Sequence, residues 1–219
     1  MKRVIIICEG ETEREFCQKV LAPYLIHRNV NIQSPLIKRS MGGIVRWPIL
    51  KKEIERHLSS EKDVIVTMLI DYYGLCKKYN FPGWVEGENI QDKNQRMDFL
   101  ENAMKEDIDE SVRHRYIPYL QLHEFEGLLF NDIQIFRDHV PEYELVDIDE
   151  LEKTFADYNN PEMINNNKET SPSHRLKRII KGYNKLVYGL CLAEAIGIDK
   201  IRAKSPRFNQ WIDKIINNR

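Results

Sequence analysis

The chain has 219 residues, 42% of them hydrophobic, with 33 Lys and Arg against 34 Asp and Glu. That is enough apolar material for a packed core, so a disordered or fibrous chain is excluded, and the length suits one large domain or one domain with a helical extension. No apolar run approaches a bilayer span, and the short run after Lys2 and Arg3 breaks at charges without a small-residue cleavage site, so neither a membrane partner nor a signal peptide is expected.

In chain order, RVIIIC (3–8) is a continuous β-branched run, the mark of a strand buried on both faces. Thr12 and Glu15 have capping-box spacing, and Phe16, Val20, Leu21, Tyr24 and Leu25 continue a helix to about residue 27. Residues 31–38 suit a second strand, and WPILKKEIERHL (47–58) an amphipathic helix. VIVTMLI (64–70) is another fully apolar strand, ending at Asp71. CKKYNFPGWVEGENIQ (76–91) is rich in turn formers and reads as a loop. Residues 92–108 form a polar helix with Met97, Leu100, Ala103 and Met104 on one side.

YIPYLQL (116–122) is a third strand, which Pro118 assigns to an edge or a strand start, and HEFEGLLF (123–130) turns into a helix. From Asp132 onward the pattern is helix and loop, with 158–173 (YNNPEMINNNKETSPS) a mobile connection. The order predicts an α/β fold with a central, mostly parallel sheet of about four strands flanked by helices. Residues 1–130 form its core, and 131–219 form a helical C-terminal part packed on that core.

The four cysteines, Cys8, Cys17, Cys76 and Cys191, form no CxxC pair, which points to reduced thiols and a cytoplasmic protein rather than a zinc site or disulfide framework. Net charge is −1, but residues 175–219 hold eleven Lys and Arg against Glu194, Asp199 and Asp213, hence +8, leaving −9 for the rest. A polyanion would be steered to the basic segment, while acids elsewhere hold cations.

Those acids sit at strand ends. Glu9 follows the first strand, Asp71 follows VIVTMLI, and Glu124 and Glu126 follow YIPYLQL. In parallel sheets ligands bind beyond the carboxyl ends of the strands, so neighbouring strands would bring these carboxylates together. Glu13 would point back from the following helix. Such a cluster repels itself unless a cation joins it, and hard oxygen donors suit Mg²⁺ or Mn²⁺. Two such ions about 4 Å apart can activate water and steady the leaving oxygen of a phosphodiester. Glu11 and Glu15 fit a simpler role as helix-dipole partners. EGETE lacks the GxxxxGK[ST] of a nucleotide loop, which ranks nucleotide binding last. His123 beside an apolar run reads as a packed or capping residue rather than a general base.

The stretches VIIICEGETE, LIDYYG and LQLHEFEGLLF resemble the Toprim domain of topoisomerases, primases and overcoming-lysogenization-defect nucleases. The closer resemblance is to small stand-alone Toprim-like proteins encoded beside an AAA-type ATPase in anti-phage, abortive-infection operons. It extends through NPEMINNNKETSPSHRL (160–176) and IRAKSPRFNQWIDKI (201–215). It implies a Toprim fold, Mg²⁺ or Mn²⁺, and a DNA or RNA substrate. Its catalytic carboxylates fall on Glu9, Glu13, Asp71 and Glu126, and its metal ligands on these and Glu124. Tyr73 stands where a second Asp is expected, and His174 where a Lys is expected.

The helix SPSHRLKRIIKGYNK, capped by Ser173, would put His174, Lys177, Arg178 and Lys181 on one face beside Arg175, with Arg202 and Lys204 further along as nucleic-acid contacts. The leading expectation is a metal-dependent nuclease of anti-phage defence, with an AAA-type ATPase or further copies of the chain as partners. The alternative is a non-catalytic nucleic-acid-binding or ATPase-docking subunit, kept open by Tyr73.

Overall fold

The computed structural model describes all residues except 39–42, 165, 166, 168 and 219. Strand β1 (Lys2–Cys8) leads into helix α1 (Glu11–Phe16), whose course continues through a π turn at Cys17–Leu21 into α2 (Ala22–Ile26). Strand β2 (Val30–Gln33), α3 (Trp47–Ser60) and β3 (Ile65–Asp71) follow. After β3 come α4 (Trp84–Gly87) and α5 (Lys93–Asp107), then the short strands β4 (Tyr116–Ile117) and β5 (Leu120–Gln121). Among the described residues six α-helices follow: α6 (Ile133–His139), α7 (Ile148–Asp157), α8 (Pro172–Ile179), α9 (Leu190–Ile196), α10 (Ile198–Lys204) and α11 (Pro206–Asn217). No strand follows β5 among the described residues.

The sheet runs β2-β1-β3-β4, with every pairing parallel. β5 pairs with β3 at Ile70↔Leu120 and Asp71↔Gln121, so β4 and β5 act as one edge strand broken by Pro118, which has no N–H for a ladder. The apolar runs of β1 and β3 occupy the two central positions because both their faces are covered. Two hydrophobic clusters do the covering. One, holding Val4, Ile6 and Cys8, extends to Trp211 and Ile215, so the C-terminal helices share a core with the first strand. The other packs Ile5, Ile7 and Val66 against α3 and α5 through Leu50, Ile54, Met97 and Leu100. Trp211 stacks on Tyr119 with ring centroids 4.5 Å apart and donates its indole N–H to Thr67 at 2.8 Å.

Several local expectations are corrected. The residue before α1 is Gly10, with no side-chain cap: Thr12 is buried and Glu15 pairs with Lys19 at 3.1 Å, so the capping box does not form. Ser171, not Ser173, precedes α8, and that helix ends at Ile179 rather than running on to Lys185. HEFEGLLF makes a 3-10 turn at Phe125–Leu129 rather than an α-helix. Within 158–173, residues 165, 166 and 168 lie outside the described residues, while Pro161–Met163 forms a 3-10 turn.

Candidate active site

The carboxyl ends of β1, β3 and β5 are adjacent, and the acids that follow them meet there. The Asp71 N–H donates to Glu9 Oε2 at 3.1 Å, and Asp71 Oδ1 accepts the Phe125 N–H at 2.9 Å. One carboxylate therefore ties β1 to β3, and the next ties β3 to the chain after β5. His123 makes the final turn. It is buried and sits at φ 69°, a left-handed conformation that redirects the chain so that Glu124 and Glu126 enter the site. Glu124 accepts from the Ser173 N–H at 2.8 Å and from its hydroxyl at 3.0 Å, binding the start of α8 to the site.

Glu13 lies in the first turn of α1, 4% exposed. A Cβ at Gly10 would sit 3.0 Å from Glu13 Oε2, so the glycine of EGETE leaves room for that carboxylate. Glu126 is fully buried, and neither of its oxygens accepts a well-formed hydrogen bond. Buried polar atoms are nearly always satisfied, yet the Lys185 ammonium, 3.0 Å from Oε1, is what meets this carboxylate, which leaves Oε2 for a further ligand.

Lys185 faces this cluster. Its Nζ lies 3.0 Å from Glu126 Oε1 and 3.7 Å from Glu13 Oε1. Asn184 places it by capping the following turn, its side chain accepting from the N–H groups of Leu186 and Val187. The basic segment includes Lys185, but the nucleic-acid contacts expected from the sequence were placed on the helix that holds Arg175 and Lys177 and on Arg202 and Lys204. The signal was the Asn184 cap, which starts a new helical turn after Gly182 (φ 74°).

The electrostatics follow from this crowding. Burial raises the Glu9 carboxyl to about 7, aided by Glu13 and opposed by the Asp71 N–H and Lys185. Burial also pushes Asp71 well above the usual carboxylate range, with Glu13, Glu9 and Glu124 adding to it. Burial pulls the Lys185 ammonium down, but Asp71, Glu13, Glu124 and Glu9 more than offset this, so it holds its proton more tightly than a free lysine. His123 is pushed down to about 3 by burial and by Lys93, whose Nζ lies 3.0 Å from Nε2. A lysine only donates, so Nε2 accepts and the neutral ring carries its proton on Nδ1. A packed role for His123 is what this geometry supports.

Four carboxylates after adjacent strand ends and Glu13 from α1 are hard oxygen donors of the kind Mg²⁺ and Mn²⁺ take, and the free Oε2 of Glu126 fits such an ion. As the side chains stand, no three His, Cys, Asp or Glu among the described residues are set around one metal position. The ammonium of Lys185 meets them instead. Glu11 and Glu15 stay outside, paired with Arg14 and Lys19.

The basic residues are scattered. Arg175 is 9% exposed and donates inward to the Thr170 carbonyl and the Thr154 hydroxyl, so it does not lie on an open face. Arg178 makes a two-pronged pair with Glu150. His174 Nδ1 lies 3.0 Å from the Ser171 hydroxyl. Lys177 and Lys181 are exposed, but Lys181 lies beyond the end of α8 and cannot share its face. Arg202 pairs with Asp213 at 2.6 Å, and Lys204 donates to the Asn131 carbonyl at 2.5 Å. Glu162, in the stretch that carries the family resemblance, is buried and accepts from the N–H groups of Arg207 and Phe208, so it caps α11.

None of the described helices is long and apolar enough to cross a membrane. Comparison with curated proteins and with solved structures finds no match. The family described as "Domain of unknown function (DUF4276)" matches residues 8–216, which runs from the last residue of β1 and takes in every acid of the site and Lys185. The chain belongs to the DUF4276 family.

Proposed function

We propose that the protein is a Toprim-like, Mg²⁺- or Mn²⁺-dependent phosphodiesterase that cuts DNA or RNA. The observation that carries this reading is the meeting of Glu9, Asp71 and Glu126 from three adjacent strand ends, with Glu13 and Lys185 closing the group. A bound divalent ion would supply Lewis acidity and an activated water. The chain's own residues supply the rest. Glu9, Glu13, Asp71, Glu124 and Glu126 would be the ligand set; backbone N–H groups and Ser173 hold Glu9, Asp71 and Glu124, and the side chains would have to converge on the ion from where they stand. Glu9, near 7, can take a proton at neutral pH. Lys185, held as ammonium, offsets the negative charge that develops on a phosphate. The resemblance to operon-encoded Toprim-like proteins supports a cytoplasmic role in anti-phage defence beside an AAA-type ATPase.

A second reading rests on Lys185 and Tyr73. An ammonium already compensates the carboxylates, and a tyrosine stands where a second metal-binding Asp is expected. A non-catalytic nucleic-acid-binding or ATPase-docking subunit would use the same fold with that lysine as its permanent counter-ion.

The deciding experiment is cleavage of plasmid DNA, single-stranded DNA and RNA with Mg²⁺ or Mn²⁺, wild type against Glu9→Gln. Cutting that needs metal and disappears in the variant is expected. No cutting of any substrate, joined with no metal binding, gives the field to the second reading.

A further inference from the structure

The loop after Asp71 differs from its surroundings. Residues 72–85 contain two lysines and no acid. Leu75, Phe81 and Trp84 are buried and pin the loop to the core. Its first turn, Tyr72–Gly74, runs against the carboxylates. A Cβ at Gly74 would lie 3.7 Å from Glu9 Oε1, and the Tyr73 N–H donates to the His123 carbonyl at 2.9 Å, one residue before Glu124. In its first half, up to Tyr79, the side chains the loop leaves in water are Tyr73, 37% exposed, Lys77 and Lys78. Lys78 Nζ lies 5.0 Å from the centroid of the half-buried Tyr79 ring.

A lone exposed tyrosine is ordinary surface. Here it stands at the rim of an anionic site, followed by the cations that a phosphate backbone needs on its way in. Rings and lysines alternating along one groove are how proteins hold unpaired nucleotides, because every base offers a face to stack on whatever its sequence. In a duplex those faces are covered by neighbouring bases, so Tyr73 gains nothing from paired nucleic acid.

We infer that the Tyr72–Tyr79 loop is a stacking platform for single-stranded nucleic acid, in which Tyr73 takes a nucleobase beside the carboxylate site while Lys77 and Lys78 contact the flanking phosphates. The inference deepens the phosphodiesterase reading and rests on the same site: the tyrosine in place of an aspartate exchanges a carboxylate for a base contact.

The test is binding of a fluorescently labelled single-stranded oligonucleotide and of its duplex by the full chain, by anisotropy in Ca²⁺, with wild type, Tyr73→Ala, Tyr73→Phe and Lys77→Glu/Lys78→Glu. The single strand is expected to bind at least about tenfold tighter than the duplex. Tyr73→Ala should remove about tenfold of single-strand affinity, the loss expected of one base stack, and Tyr73→Phe should restore it. The charge-reversed pair should weaken binding and flatten its salt dependence. Equal affinity for strand and duplex, no binding of either, or Tyr73→Ala binding like wild type overturns the inference. Cleavage reports separately. A chain that grips single strands through Tyr73 but cuts nothing with Mg²⁺ or Mn²⁺ sinks the phosphodiesterase reading and leaves the platform standing. A chain that cuts duplex with Tyr73→Ala unimpaired does the reverse.

Discussion

Lys185 holds its ammonium 3.0 Å from Glu126, a fully buried carboxylate whose oxygens accept no well-formed hydrogen bond. The two residues lie 59 positions apart, one after the edge strand and one in the C-terminal helical segment, and their pairing closes the site. Lys185→Ala leaves the acids uncompensated. The expected cost is about 1–2 kcal/mol at pH 8, below the cost of breaking a fully buried pair because the lysine is partly exposed. At pH 5 the cost should shrink, since Glu9 is then protonated and burial pushes Asp71 the same way. Denaturant unfolding at the two pH values measures both. Saturating Mn²⁺ should return part of the loss, as an ion takes the ammonium's place.

The raised carboxylates give stability a definite pH dependence. Glu9 is near 7 in the fold and lower in the unfolded chain, so the native state binds the extra proton. Its contribution is fully present below the unfolded value and is lost as pH rises through about 7. Asp71 acts in the same direction. His123 works the other way, since a ring kept neutral in the fold favours unfolding once pH falls below its ordinary value. Thermal melts without divalent ions should therefore show the midpoint falling between about pH 6 and pH 8. Glu9→Gln should flatten that slope; an unchanged slope in the variant would count against a raised Glu9.

Gly10 is required by its neighbour rather than by its backbone, whose φ of −142° any residue adopts. Gly10→Ala puts a methyl 3.0 Å from the Glu13 carboxylate, which is the mobile end of a side chain and can move. Stability should change by less than about 1 kcal/mol. Mn²⁺ affinity should fall about tenfold, as when a ligand's support is disturbed. A variant with wild-type metal affinity would show that Glu13 is not a ligand.

How much of this was readable in the sequence depends on the range of the contact. The central strands were legible because β-branched runs buried on both faces leave a local mark, and Pro118 assigned the edge correctly. The carboxylates were legible because parallel topology alone brings strand ends together. Lys185 was not, because nothing local ties it to Glu126. The basic face over α8 was drawn from spacing that assumed the helix continued, whereas it stops at Ile179 and Arg175 turns inward to Thr154 and Thr170. Neither expected cap forms. Thr12 is buried and Glu15 pairs with Lys19, while Ser173 donates its N–H and hydroxyl to Glu124, so tertiary contacts override the local cap geometry.

Glu162 shows that a residue in the stretch of resemblance can serve the fold. It is buried and accepts the N–H groups of Arg207 and Phe208, while Arg207 itself pairs with Asp98 and Glu101, each at 2.6 Å. Glu162→Ala orphans two donors at the start of α11 and should cost about 3 kcal/mol. Metal affinity, measured well below the melting temperature, should stay as in the wild type. A stable variant that lost metal binding would move Glu162 into the site.

The central claim is that the strand-end carboxylates take a divalent ion, and proton release tests it most directly. Glu9, at about 7, is partly protonated near neutral pH, and burial pushes Asp71 in the same direction, so an ion that binds them must displace protons. Calorimetric titration of Mn²⁺ at pH 6.5, in two buffers of different ionisation enthalpy, counts those protons. The account predicts binding with net proton release, with Glu9→Gln and Asp71→Asn each losing affinity and releasing fewer protons. Absence of binding, or binding without proton release that both variants leave unchanged, would contradict it.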